Sequence, residues 1–139
     1  MISSMRVVAG LGAAALAFSL LSPTPGRADS GDPIQQAYGI NYACAGIGKA
    51  SRADPRWRKF PVKLQFAATN GDFMGDPHVR VMLSTGKIVF EAQCDGPWVL
   101  IDLPAGNYKV HATGRNGAAM KDFTLSVRGS HQTSMTIRM

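Results

Sequence analysis

From Val62 to the C-terminus the chain alternates apolar and polar residues with a period of two, interrupted by a turn signal every eight to twelve residues. Successive side chains of a strand point to opposite sides, so the pattern describes strands with one buried face each. Val62, Leu64 and Phe66 alternate with Lys63 and Gln65 up to the turn Thr69-Asn70-Gly71-Asp72. Val79, Val81 and Leu83 oppose Arg80, Met82 and Ser84, and Thr85-Gly86-Lys87 then reverses the chain into Ile88, Phe90, Ala92 and Cys94. Tyr108, Val110 and Ala112, then Phe123, Leu125 and Val127, and last Met135, Ile137 and Met139 repeat the arrangement. Trp98 to Leu103 is apolar on both faces except at Asp102, as expected of a central strand. With Tyr38–Cys44 added, the count is seven to eight strands, which predicts an all-β, antiparallel sandwich of Greek-key type.

Ahead of this region the chain reads differently. Arg6, the apolar run Val7 to Leu21, a helix-breaking polar stretch, and small Gly26 and Ala28 at −3 and −1 together describe a secretory signal peptide over residues 1–28. No twin-Arg pair is present, and no Cys stands next to the cleavage point, so the expectation is Sec-type export to the periplasm or beyond, without a lipid anchor. Residues 29–37, with Gly31 and Pro33, are expected to be a flexible lead-in, and residues 38–139 a single domain. Ala45 to Arg52 carries too much glycine for a stable helix or regular strand, and Ala50 to Phe60 allows at most a helical turn or ordered loop. The mature chain holds 13 Lys or Arg against 9 Asp or Glu, a formal +4. That excess suits anionic envelope polymers or lipid headgroups and equally suits plain solubility.

Two cysteines remain after export, Cys44 and Cys94, and an even count in an oxidising compartment favours a disulfide. The bond would enclose 49 residues and restrict the unfolded chain by roughly 4 kcal/mol on the chain-entropy model. Unpaired inert thiols or a reactive thiolate are the alternatives; neither cysteine has His, Asp or Glu at ligand spacing.

Asp95-Gly96-Pro97-Trp98 leads into the doubly apolar strand, and Leu103-Pro104-Ala105-Gly106-Asn107-Tyr108-Lys109-Val110 leads out of it. Pro104 presets φ for the second position of a turn, and Gly106 suits its last position or a left-handed bulge, so the strand is expected to reverse into Tyr108–Val110. Together with Gly86-Lys87-Ile88-Val89 and a short strand ending in Gly129, these residues resemble the carboxypeptidase regulatory-like domains over about Val79 to Met139. Asp95, Gly96, Trp98, Leu103, Pro104, Gly106 and Tyr108 carry the resemblance. It implies a transthyretin- or prealbumin-like β-sandwich that is a non-catalytic appendage in the carboxypeptidases themselves. The enzyme of this wider fold, a hydroxyisourate hydrolase, ends in Tyr-Arg-Gly-Ser. This chain has Arg128-Gly129-Ser130 with Val127 in place of the Tyr and nine residues following.

No catalytic motif accompanies the fold pattern. His78, His111 and His131 are isolated in sequence, and no P-loop, G-x-S-x-G or H-E-x-x-H is present. The reading is a non-enzyme with no cofactor and no metal. A small hydrolase gathering the three histidines at one sandwich end is the alternative, and self-association through edge strands is a further one. The candidate binding patch is Arg52, Arg56, Trp57, Arg58, Lys59, Phe60 and Lys63, five cations around two aromatics. Arg and Trp recur at binding hot spots, and the patch suits an anionic glycan, a lipid headgroup or an acidic protein. The competing role for Trp57 and Phe60 is to cap the open end of the sandwich while their charged neighbours face water. Nucleic acid is not an expected partner of an exported chain without a second basic-aromatic face.

Overall fold

Alternating β-branched and aromatic residues pair into nine strands in the computed structural model, which describes residues 30–117 and 119–139. The expected signal peptide lies outside the described residues. The strands are β1 (Ile34–Ala37), β2 (Ile40–Ala45), β3 (Val62–Ala67), β4 (His78–Met82), β5 (Ile88–Gln93), β6 (Trp98–Ile101), β7 (Gly106–Thr113), β8 (Met120–Val127) and β9 (Thr133–Arg138). A five-stranded sheet, β1-β2-β6-β3-β9, faces a four-stranded one, β5-β4-β7-β8. This is the expected all-β sandwich, with one strand more than the upper count. One pairing departs from the antiparallel rule: β9 runs parallel to β3 in the register Val62↔Thr133 to Ala67↔Arg138. The chain crosses from β8 in one sheet to β9 in the other, so the last strand is free to enter beside β3 in either direction.

The inner faces meet as the alternation dictates. Leu64, Phe66, Val99 and Ile101 from one sheet pack against Val79, Val81, Phe90, Val110 and Leu125 from the other, all at most 1 % exposed. Burying each such side chain contributes roughly 1.5–3 kcal/mol. Tyr42 on β2 sets its ring edge-on to Phe90 on β5, 5.3 Å between centroids. The Cys44–Cys94 disulfide forms, joining β2 to the residue after β5 with Cα atoms 5.3 Å apart. It therefore pins one sheet to the other.

β6 lies between β2 and β3 in the middle of its sheet, as its two apolar faces predict. The reversal after it is not a hairpin within one sheet. β6 belongs to the five-stranded sheet and β7 to the four-stranded one, so Pro104 and Ala105 form a corner between layers. The corner is tied by the Tyr108 hydroxyl, which donates to the Pro104 carbonyl at 2.6 Å. Gly106 opens β7 in register with Val127. At the other end of β6, Gly96 passes so close to β2 that an added Cβ would lie 2.3 Å from the Ala45 carbonyl oxygen. Only glycine fits there.

Two local expectations are corrected. The lead-in taken as flexible contains β1, paired with β2 through a two-residue turn in which Tyr38 and Gly39 both have positive φ, 56° and 73°. A mostly exposed edge strand held by backbone pairing leaves no apolar periodicity to read. The glycine-rich stretch also gives a helix, α1 (Gly48–Ala53), followed by a 3₁₀ turn, Pro55–Lys59. Apart from its first residue α1 has no glycine, and Ser51 anchors it: the hydroxyl accepts from the Gly46 N–H at 2.7 Å and donates to Asp32 at 2.6 Å.

Candidate functional site

The outer face of the five-stranded sheet is itself apolar at Ala43, Ala45, Trp98 and Leu100, residues that alternate with the inner-core positions of β2 and β6. An uncovered patch of that kind would be costly, and the α1–3₁₀ segment covers it. Trp57 and Phe60 pack on those four residues as a second small core, 3 % and 7 % exposed. Trp57 also donates its indole N–H to the Ser51 carbonyl at 2.7 Å. Both aromatics of the candidate patch thus serve packing, on the sheet's outer face rather than at the open end of the sandwich.

The cations around them divide into two groups. Arg52 from α1, Arg58 from the 3₁₀ turn and Lys63 from β3 line one groove of about 540 Å³, together with Ala50, Ala53, Asp54, Trp57, Trp98 and Gln132. Arg56, Lys59 and Phe60 instead border a smaller cleft of about 280 Å³ with Ile34, Asn41 and Asp102. The contiguous basic run is therefore not one surface.

Among the described residues that line the larger groove the only carboxylate, Asp54, is already neutralised. Asp54 is buried and pairs with Arg56, Nη2 to Oδ2 at 2.7 Å. It also accepts from the Ser30 N–H and hydroxyl at 2.9 and 2.7 Å. The Arg56 guanidinium, opposed by desolvation and helped by Ser30, holds this carboxyl well below the usual carboxylate range. Arg56 extends to the Asp32 carbonyl at 2.8 Å, so the segment after residue 29 is stitched to the 3₁₀ turn. Arg52, exposed, has among the described residues a single long hydrogen bond, to the Gly46 carbonyl at 3.3 Å. Arg58 is exposed and makes no hydrogen bond or ion pair with the described residues.

Lys63 rests on the floor of the groove with Nζ 3.5 Å from the Trp98 ring centroid, and partial burial pushes its ammonium below the ordinary lysine value. Trp98 is itself 7 % exposed, and its indole N–H is buried without an acceptor among the described residues. The Gln132 amide, from the turn before β9, closes the far wall by donating to the Trp57 and Phe60 carbonyls at 2.7 and 3.0 Å. Trp98 and Gln132 belong to the groove and escaped the sequence reading. Trp98 stood out there only as part of the strand entrance, although its cross-strand neighbourhood with Lys63 follows once β3 is paired with β6.

The histidines occupy other places. His78 and His111 share the outer face of the four-stranded sheet, as diagonal neighbours in the β4–β7 register. There Glu91, Arg80, His111 and Asp122 form one row across β5, β4, β7 and β8. His78 pairs with Glu91 at 3.0 Å and His111 with Asp122 at 2.5 Å. His131 lies in the β8–β9 turn against Ser130, beyond the end of β8 that pairs with Gly106. At about 3.3 Å per residue it is separated from His111 by most of the length of β7. The three-histidine set of the hydrolase alternative is thus not assembled. Among the described residues no group of three or more His, Cys, Asp or Glu is placed to hold a metal ion. Neither a protein-family model nor a curated protein matches the chain.

Proposed function

We propose that this protein is an exported, non-catalytic β-sandwich module, of the carboxypeptidase regulatory-like kind, that binds an anionic component of the bacterial cell envelope. The observation that carries the reading is the convergence of Arg52, Arg58 and Lys63, from three different elements, on one groove where the one carboxylate among the described lining residues, Asp54, is paired with Arg56. A groove of one sign with low-dielectric walls concentrates its field and draws in counter-charge. The inter-sheet disulfide suits an oxidising compartment such as the periplasm or the cell exterior. Among the described residues no helix is long and apolar enough to cross a membrane.

The test is sedimentation of the purified mature protein with native envelope fragments. The account expects retention that falls as salt is raised and is abolished by the double variant Arg52→Glu, Arg58→Glu, with circular dichroism confirming that the variant stays folded. Retention that ignores both charges sinks the proposal.

A further inference from the structure

We infer that the groove takes a phosphate-bearing group rather than a neutral or carboxylated sugar ring or an acidic peptide; this rests on the functional reading above and narrows it. The first ground is what the aromatics no longer offer. Carbohydrate recognition by indoles uses an open ring face, but Trp57 is packed into the second core and Trp98 is covered by Lys63. Recognition must then run through charge and hydrogen-bond donors.

The second ground is the donor set. Two guanidinium forks are nearly unspent among the described residues: Arg52 has one long bond to a carbonyl and Arg58 none. A guanidinium meets two oxygens of a tetrahedral oxoanion at once, whereas a lysine contributes a point charge beside them. Three cations with no carboxylate partner among the described residues match a di- or trianion such as a phosphomonoester or pyrophosphate better than the single charge of a carboxylate. The third ground is the indole N–H of Trp98, a residue that lines the groove: it is buried and has no acceptor among the described residues. Leaving a buried donor unmade costs about 1–3 kcal/mol, so such a group marks a place where an acceptor belongs. Partial burial has also pushed the Lys63 ammonium down, and a bound anion would reverse that shift. The volume of about 540 Å³ leaves room for what the phosphate is attached to.

The experiment is calorimetric titration of the mature, disulfide-intact protein at low salt with inorganic pyrophosphate, and with trigalacturonate as the carboxylate control. Vesicles of phosphatidylglycerol and of phosphatidylcholine form a second arm. Arg58→Ala is the chosen variant because the Arg58 side chain is exposed and bonds to none of the described residues; Arg52→Ala is the backup. The expected result is binding of pyrophosphate, weakened about tenfold by Arg58→Ala, with trigalacturonate weaker by a similar factor. Arg58-dependent binding to phosphatidylglycerol but not phosphatidylcholine vesicles identifies the phosphate as a lipid headgroup's. Pyrophosphate binding with no vesicle binding identifies a soluble phosphorylated ligand. Absence of pyrophosphate binding, or equal affinity for trigalacturonate, overturns the inference. If envelope retention still depends on Arg52 and Arg58 in that case, the functional reading stands and only the phosphate assignment fails. Retention independent of both residues removes the functional reading as well.

Discussion

Lys63 on β3 holds its ammonium 3.5 Å from the centre of the Trp98 ring on β6, on the outer face of the five-stranded sheet. The two are diagonal cross-strand neighbours, since Trp98 pairs with Gln65 and Lys63 lies two residues along. The contact joins the groove's central cation to the roofed part of the sheet. Lys63→Met keeps the aliphatic stem over the indole and removes the charge. The account expects a loss of about 1 kcal/mol in urea unfolding, and an unchanged midpoint would show that the ammonium contributes no attraction there.

Asp54 makes the groove wall sensitive to acid. Its folded pKa is depressed, chiefly by the hydrogen bond from Arg56, so its contribution to stability is fully present above the unfolded value of 3.8. That contribution is lost as pH falls through the lower folded value. Asp54→Asn is therefore expected to be less stable than the parent by about 2 kcal/mol at neutral pH, with the gap closing below roughly pH 4. Thermal unfolding of both proteins across that range checks the sign. A gap that widens on acidification contradicts the assignment.

The disulfide ties the sheets together at one edge. Replacing both cysteines by serine is expected to cost about 2–5 kcal/mol, and thiol titration of the unreduced denatured protein should find no free thiol. Two free thiols per chain would refute the bond itself.

The entrance to β6 has no room for a side chain. Gly96→Ala would place a methyl against the Ala45 carbonyl, a backbone atom that cannot swing away. It is expected to cost 3 kcal/mol or roughly that much. Gly129→Ala, where nothing lies within 4 Å of the added atom, should be close to neutral. Equal effects of the two changes in denaturant unfolding would contradict this packing.

The strands were legible wherever one face is buried, because burial imposes a period of two on Val62–Phe66, Val79–Leu83 and Ile88–Cys94. The corner at Pro104 was legible as a reversal but not as a change of sheet, since turn chemistry says nothing about which layer receives the next strand. β1 left no trace because its side chains are mostly exposed and only its backbone is bonded. The basic-aromatic run was visible as a cluster of residue types. Its division into two clefts was not, because that depends on which way a 3₁₀ turn projects Arg56 and Lys59 relative to Arg58. The double apolarity of Trp98–Ile101 was read as centrality alone. Half of its cause is the roof formed by Trp57 and Phe60, two buried rings on a segment whose charges dominate its sequence.

The central claim, that the groove between the α1–3₁₀ segment and β3–β6 is the surface that meets the envelope, is tested most directly by hydrogen–deuterium exchange of the mature protein free and bound to native envelope fragments. The account predicts that protection on binding concentrates in residues 49–63, at Trp98 and at Gln132. Protection confined to the outer face of β4, β5, β7 and β8, or to the Tyr38 and Lys87 end of the sandwich, with residues 49–63 unchanged, would contradict it.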